Sequence, residues 1–232
     1  MSKKKIAIQG ELGAYSHIAA ENLYKDSEIK TCATFEETFK QAYNDPSYKI
    51  VIPIENSLAG RVADIHYLLP KYKLQIHGEH FQAVEHNLLC KPDATISDIK
   101  FVRSHAQAIG QCQNLITKKK FKPIISADTA GSAKDLAEGK DKTIAAIASE
   151  LSAKIYNLKI LEKNIEDEKG NVTRFLIMGK NIEQPEFKKD KKFITSCIFR
   201  VKSEPSALYK CLGGFATNQV NLTKLESFSV KN

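Results

Sequence analysis

The chain has 232 residues, 42% of them hydrophobic, enough for one two-lobed domain and a small additional unit. Its formal net charge of +8 comes from scattered lysines without aromatic interleaving, which argues against a base-stacking nucleic-acid surface and for a basic field that attracts small anions. No stretch approaches the ~18 apolar residues of a membrane span, the apolar run after the N-terminal lysines is too short for a signal peptide, and five cysteines with no Cys-x-x-Cys pair fit free thiols in a reducing cytoplasm.

Short apolar runs alternate with helical patterns, which predicts an α/β fold with a largely parallel sheet. Lys5 to Gln9 reads as the first strand. The turn Gly10 to Ser16 follows and opens a helix to about Lys25, with Ser16 placed to cap it. Ile50 to Ile54 is a second strand, ending in Glu55-Asn56-Ser57-Leu58-Ala59-Gly60-Arg61. The helix after it carries Val62, Ile65, Leu68 and Leu69 on one face and is expected to stop at Pro70. Phe81 to Cys90 reads as one strand. Phe101 to His105 is a strand opening into a helix, and Ile124-Ile125 leads into another helix through Asp128-Thr129. Thr143 to Ala146 is a strand, and Ser149 to Tyr156 a helix. A charged loop, Glu162 to Gly170, returns the chain to a strand at Arg174. Lys180 to Lys192 is a lysine-rich linker, after which Phe193 to Asn232 begins a strand–helix–strand unit.

Polar clusters recur at strand ends, near Ser16, Asn56, His105, Thr129 and Thr173, where open α/β sheets bind their ligands. Only Arg61, Arg103, Arg174 and Arg200 interrupt a cation set of 35 that is otherwise lysine, so an arginine here suggests a need for planar, two-pronged geometry. Arg174 beside Thr173 puts a carboxylate-binding fork and a hydroxyl donor at the mouth of one strand. Gly10-x-x-Gly13 is no dinucleotide fingerprint; it reads equally as an anion-approaching turn or as an ordinary tight turn. Glu55-Asn56-Ser57 reads first as a helix-capping turn, with Arg61 adding weight to a binding role. His77, His80 and His86 lack metal-ligand spacing, and Cys112 has no adjacent base to make it a nucleophile.

Taken together these pieces resemble prephenate dehydratase. The resemblance rests on the order and spacing of Gly10-Glu-Leu-Gly-Ala-Tyr-Ser16, Pro53-Ile-Glu-Asn-Ser-Leu-Ala-Gly60, Ser104-His-Ala-Gln107 with Gln111, Asp128-Thr-Ala130 and Asn171-Val-Thr-Arg-Phe175. It implies a two-lobed, periplasmic-binding-protein-like (type II) catalytic domain over 1–180, with lobe 1 about 1–76 and 163–180 and lobe 2 about 77–162. A linker over 181–192 and the N-terminal part of an ACT regulatory domain over 193–232 follow. The implied reaction is cofactor-free conversion of prephenate to phenylpyruvate, carbon dioxide and water in phenylalanine biosynthesis, by a cytoplasmic homodimer or homotetramer with no nucleic-acid or membrane partner.

By the same resemblance Thr173 donates to the departing ring hydroxyl, with Glu55 and Asn56 as further catalytic residues. Arg174 takes the side-chain carboxylate, and Phe175, Ser57, Ser16, Ser104, His105, Gln111 and Thr129 complete the substrate site. The carboxylate that leaves is expected to lack a strong cation, because tight ground-state binding there would slow its departure. L-phenylalanine is the implied feedback inhibitor, with Leu208, Phe215, Glu226 and Ser227 as walls of its site. The tail departs from the family pattern, with Ser206 where a Gly is usual and Phe228-Ser229 where Arg-Pro is usual, and it supplies only the first half of a βαββαβ unit. The expectation is therefore a competent enzyme that phenylalanine does not inhibit. The competing readings are arogenate dehydratase, whose substrate carries an amine in place of the keto group, and a non-catalytic two-lobed amino-acid sensor.

Overall fold

The computed structural model of the chain describes residues 3–181, 186 and 188–227. Two compact units are present, divided between Ile182 and Glu183. The first unit begins with β1 (Lys5–Gln9), α1 (Tyr15–Leu23), β2 (Glu28–Cys32), α2 (Phe35–Asn44), β3 (Tyr48–Asn56), β4 (Gly60–Arg61), α3 (Ala63–Tyr72) and β5 (Gln75–Ala83). The chain then enters a second lobe: β6 (Asn87–Cys90), β7 (Phe101–His105), α4 (Ala106–Gly110), α5 (Gln113–Lys119), β8 (Lys122–Ser126), α6 (Thr129–Glu138), β9 (Ile144–Ala148), α7 (Glu150–Ile155) and β10 (Lys159–Glu162). It returns to the first lobe as β11 (Val172–Gly179).

The first sheet runs β2-β1-β3-β11-β5 with β4 hung on β3, and the second runs β10-β6-β9-β7-β8. Both are mixed: β1 pairs in parallel with β2 and β3, whereas β11 lies antiparallel between β3 and β5. Helices cover both faces, so the central strands are apolar on both sides. On one face Ile50, Ile52, Leu176 and Met178 pack under α2 and α3 through Phe39, Ile65 and Tyr72. On the other, Ile6, Ile8, Val51, Phe175 and Ile177 pack against Ala19 and Ala20 of α1. The second lobe repeats the plan, with Val102, Leu88 and Ile147 against Ile109 and Ile116, and Leu89, Ala146 and Ala148 against Ala133, Leu136 and Ala153.

The two-lobed architecture is the expected one, with four local corrections. Phe81 to Cys90 is two strands in different sheets, because Val84 to His86 cross between the lobes; lobe 1 therefore runs to Ala83. The helix after β4 passes through Pro70 to Tyr72. Tyr72 is buried in the core and, with Lys71, bonds Glu36 of α2, and these tertiary contacts outweigh the lost backbone bond. Ser16 is not the cap of α1. Ala14 holds that position, and the Ser16 hydroxyl donates instead to Gln9 O at 3.2 Å. Asp128 and Ser149 hold the cap positions of α6 and α7. In the second unit α8 (Ala207–Thr217) forms where the sequence places a helix, but the flanking strands do not form among the described residues, since a strand needs a partner edge for its backbone groups. Phe228-Ser229 lie outside the described residues.

Candidate active site

The two crossovers run side by side: Val84 N–H donates to Asn171 O at 2.8 Å, and Ile165 N–H to His86 O at 2.9 Å. Around them a chain of hydrogen bonds joins β3, β11 and the second lobe. It starts at the turn after β3, where the backbone N–H groups of Leu58 and Ala59 donate to Asn56 Oδ1 at 3.0 and 2.8 Å. A backbone N–H can only donate, so this fixes which end of the Asn56 amide is oxygen. The Asn56 amino group then donates to Asn171 Oδ1 at 2.6 Å and to Thr173 Oγ1 at 2.9 Å. Asn171 in turn donates to Gln111 Oε1 at 3.1 Å, and His86 Nε2 meets the same oxygen at 2.9 Å.

This polarity decides what is left over. Thr173 accepts from Asn56, so its own O–H is available to donate. Gln111 uses its oxygen inside the network, so its amino group is available too. The network therefore leaves two donors uncommitted, one from each lobe. The register of β3 against β11 sets Asn56 opposite Thr173, which gives the first link without loop flexibility.

Other expected site residues lie elsewhere. Arg174 follows Thr173 and so projects from the opposite face of β11. Its Nε and NH2 groups both bond Glu79 Oε2 of β5, at 2.7 and 2.6 Å, so the carboxylate it holds is a protein one. Phe175 is a core residue of the α1 face, not a substrate contact. Ser104 is completely buried and donates to Ile147 O at 2.7 Å, tying β7 to β9. Ser57 latches the strand ends: its N–H donates to Val172 O at 2.9 Å and its Oγ accepts from Val172 N–H at 3.0 Å. His105 caps α4 through Nδ1 and Gln107 N–H. Thr129, partly exposed at the start of α6, makes no side-chain hydrogen bond among the described residues. Glu55 stands opposite Arg174 and Arg61 in the ladders that flank β3. Leu208 is exposed on α8, Phe215 meets Phe199 with ring centroids 6.0 Å apart, and Glu226 pairs with Lys224.

A family model described as prephenate dehydratase matches residues 6–183. The chain belongs to the prephenate dehydratase family. That family is one of dehydratases, lyases of aromatic amino-acid biosynthesis. The chain is 41% identical over 229 residues to a bifunctional N-acyl-homoserine lactone acylase/prephenate dehydratase of Komagataeibacter europaeus, covering 97% of this chain and 80% of that protein. It is 41% identical over 226 residues to arogenate dehydratase/prephenate dehydratase 2 of Arabidopsis thaliana, covering 97% of this chain and 59% of that one. The crystal structure of the Arthrobacter aurescens prephenate dehydratase in complex with L-Phe superimposes with a TM-score of 0.85 at 24% identity, over 97% of this chain and 76% of that one, a likeness of fold.

Within this prephenate dehydratase fold three network residues escaped the sequence reading. Asn171 stands inside a motif the sequence displays, next to Thr173, but nothing local marks it as the bridge between lobes. Tyr15 and His86 meet across 71 positions, with the Tyr15 hydroxyl 3.1 Å from Nδ1 and ring centroids 5.9 Å apart, and no sequence signal links them. Burial holds the His86 pKa down against the opposing pull of Gln111 and Glu166, which favours a neutral ring. Cys112, next to Gln111, is fully buried, and burial followed by Asp167 and Glu166 pushes its thiol up to about 12, so it is no nucleophile at neutral pH. Among the described residues no group of three or more His, Cys, Asp or Glu side chains is assembled to hold a metal ion, and no helix is long and apolar enough to cross a membrane.

Proposed function

We propose that this chain converts prephenate to phenylpyruvate, carbon dioxide and water beside the two crossovers. The observation that carries the reading is the polarity of the hydrogen-bond network, which leaves Thr173 and Gln111 as donors. Donors suit a substrate made of acceptors: two carboxylates, a keto oxygen and a departing hydroxyl. An ammonium, which arogenate carries in place of the keto group, would ask for an acceptor instead.

In the reaction the bond between the ring and its carboxylate breaks, and that electron pair enters the ring. The C–O bond opposite breaks as the ring becomes aromatic, and the oxygen leaves with the bonding pair as hydroxide, which takes up a proton from the solvent to give water. A threonine hydroxyl is a weak acid, so Thr173 acts as a positioned hydrogen-bond donor to charge developing on that oxygen. Asn56 raises its donor strength by filling an Oγ1 lone pair. Gln111, reaching from the second lobe, orients the substrate, and closure of the two lobes on it brings both donors to bear. Acylase chemistry, named for the Komagataeibacter relative, would need an activated nucleophile. Thr173 has an amide rather than a base beside it, and Cys112 is inert.

The test is turnover of prephenate and of arogenate by the purified chain, wild type and Thr173→Val. Prephenate turnover is expected to exceed that of arogenate, and Thr173→Val to lower kcat by about 10²-fold with little change in KM. Faster turnover of arogenate would overturn the substrate, and an unchanged kcat would remove Thr173 from the mechanism.

A further inference from the structure

We infer that His86 is a positioning residue for Gln111: its Nε2–H, donated to Gln111 Oε1, locks the amide so that the amino group faces the substrate. The argument is one of donor and acceptor parity. Leu58 and Ala59 N–H fix Asn56, Asn56 fixes Asn171, and Asn171 fixes Gln111 with its oxygen turned toward His86. An oxygen at 2.9 Å from Nε2 requires the proton on Nε2. With the proton on Nε2, Nδ1 is left as an acceptor 3.1 Å from the Tyr15 hydroxyl, which donates to Glu85 O at 2.6 Å.

The ring is held for this task. It is almost wholly buried, it packs edge-on against Tyr15, and its backbone N–H is pinned by Glu166 Oε2 at 3.0 Å. Without His86 the Gln111 amide keeps, among the described residues, a single hydrogen-bond tether, the Asn171 amino group. An amide turned by half a revolution presents its oxygen to substrate oxygens, which repels them. Because His86 stands on one crossover and Asn171 on the other, the pair registers Gln111 of the second lobe against Thr173 of the first.

The inference rests on the reading of Gln111 as a substrate donor, and two measurements separate its failure from failure of that reading. The first needs no substrate. In the full chain with ¹⁵N-labelled histidine, assigned by comparison with a His86 variant, the His86 ring is expected to carry its proton on Nε2. A proton on Nδ1 with Nε2 bare would overturn the inference, whatever the enzyme turns over. The second compares two substitutions. A glutamine amide can place an N–H near the position of Nε2, whereas an asparagine falls short of it. His86→Gln is expected to retain kcat for prephenate within about threefold. His86→Asn is expected to lower it about tenfold, the worth of one hydrogen bond, at similar thermal stability. Equal kinetics in the two variants would also overturn it. Loss of folding in His86→Asn leaves the ring tautomer to decide.

Discussion

Arg174 presents two nitrogens to a single oxygen of Glu79 across neighbouring strands, on the face of β11 that also carries Leu176 and Met178. Thr173, Phe175 and Ile177 line the other face. A fork that bonds Glu79 and points away from Thr173 is a strut of the sheet, so the carboxylate clamp expected from the sequence gives way to a structural role. Lysine keeps the charge and loses the planar two-donor contact. Arg174→Lys is accordingly expected to leave KM for prephenate within twofold. The pair is mostly shielded, so its weakening by about 1 kcal/mol should lower Tm by ~2–4 °C. A severalfold rise in KM with no change in Tm would restore Arg174 to the substrate site. Thr173, on the opposite face, accepts at Oγ1 from a neighbouring amide, and that amide is oriented by backbone groups that cannot turn round.

The turn between β1 and α1 joins the lobes. Gly13 O accepts from Ser149 Oγ at 2.6 Å and from Ser152 Oγ at 3.1 Å, the cap and a first-turn residue of α7 in the second lobe, and Tyr156 Oη donates to Leu12 O at 3.0 Å. Gly13 N–H is taken by His17 Nδ1 at 2.9 Å and Gly10 N–H by Cys32 O at 2.9 Å, so both glycines spend their donors on the protein rather than on an anion. Both glycines need positive φ, +89° at Gly13 and +94° at Gly10, but only Gly13 is crowded: an added Cβ would lie 2.4 Å from Ser152 Oγ and 2.8 Å from Ser152 Cα. At Gly10 the nearest atom is 4.0 Å away. Gly10→Ala therefore carries backbone strain alone, about 1 kcal/mol, while Gly13→Ala adds a clash with the backbone of α7 for a total of at least about 2 kcal/mol. Thermal melts should place Gly13→Ala ~4–8 °C below wild type and clearly below Gly10→Ala. Equal losses would mean the lobes do not meet through this turn.

At the scale of the whole chain the two units differ in how much they bury. The first holds four clusters of buried side chains, whereas α8 of the second buries none of its residues, and Leu208 and Tyr209 are exposed. A phenylalanine site that shifts activity must bind one global state better than another, and it must take an aromatic ring out of water. Leu208, Phe215, Glu226 and Ser227 lie in a unit with no strand among its described residues to wall such a site. The 232-residue chain is therefore expected to turn over prephenate at the same rate with and without millimolar L-phenylalanine. Calorimetry should show no binding. Tight binding with inhibition would sink this and imply that second units from two chains build the site together.

The sequence by itself determined the elements whose burial pattern is local: β1, the core of β3, β7, β9, α6 and α7. It also placed Asn56, Gln111 and Thr173 in recognisable order, though not in contact. Periodicity reports that a face is covered; it does not say by what. The break at Val84 to His86 was invisible because Phe81 to Cys90 holds no Gly or Pro to mark it, and only pairing with β11 on one side and β9 on the other separates the two strands. β2 was invisible because its exposed lysine and glutamate give no apolar alternation, so its ladder with β1 alone makes it a strand. The site depended on tertiary structure for the same reason. Gln111 finds His86 25 positions away and Asn171 60 away, and Arg174 finds Glu79 at 95. Which amide oxygen faces which donor is settled by those partners, so the orientation of Asn56, Asn171 and Gln111 is a property of the tertiary structure alone.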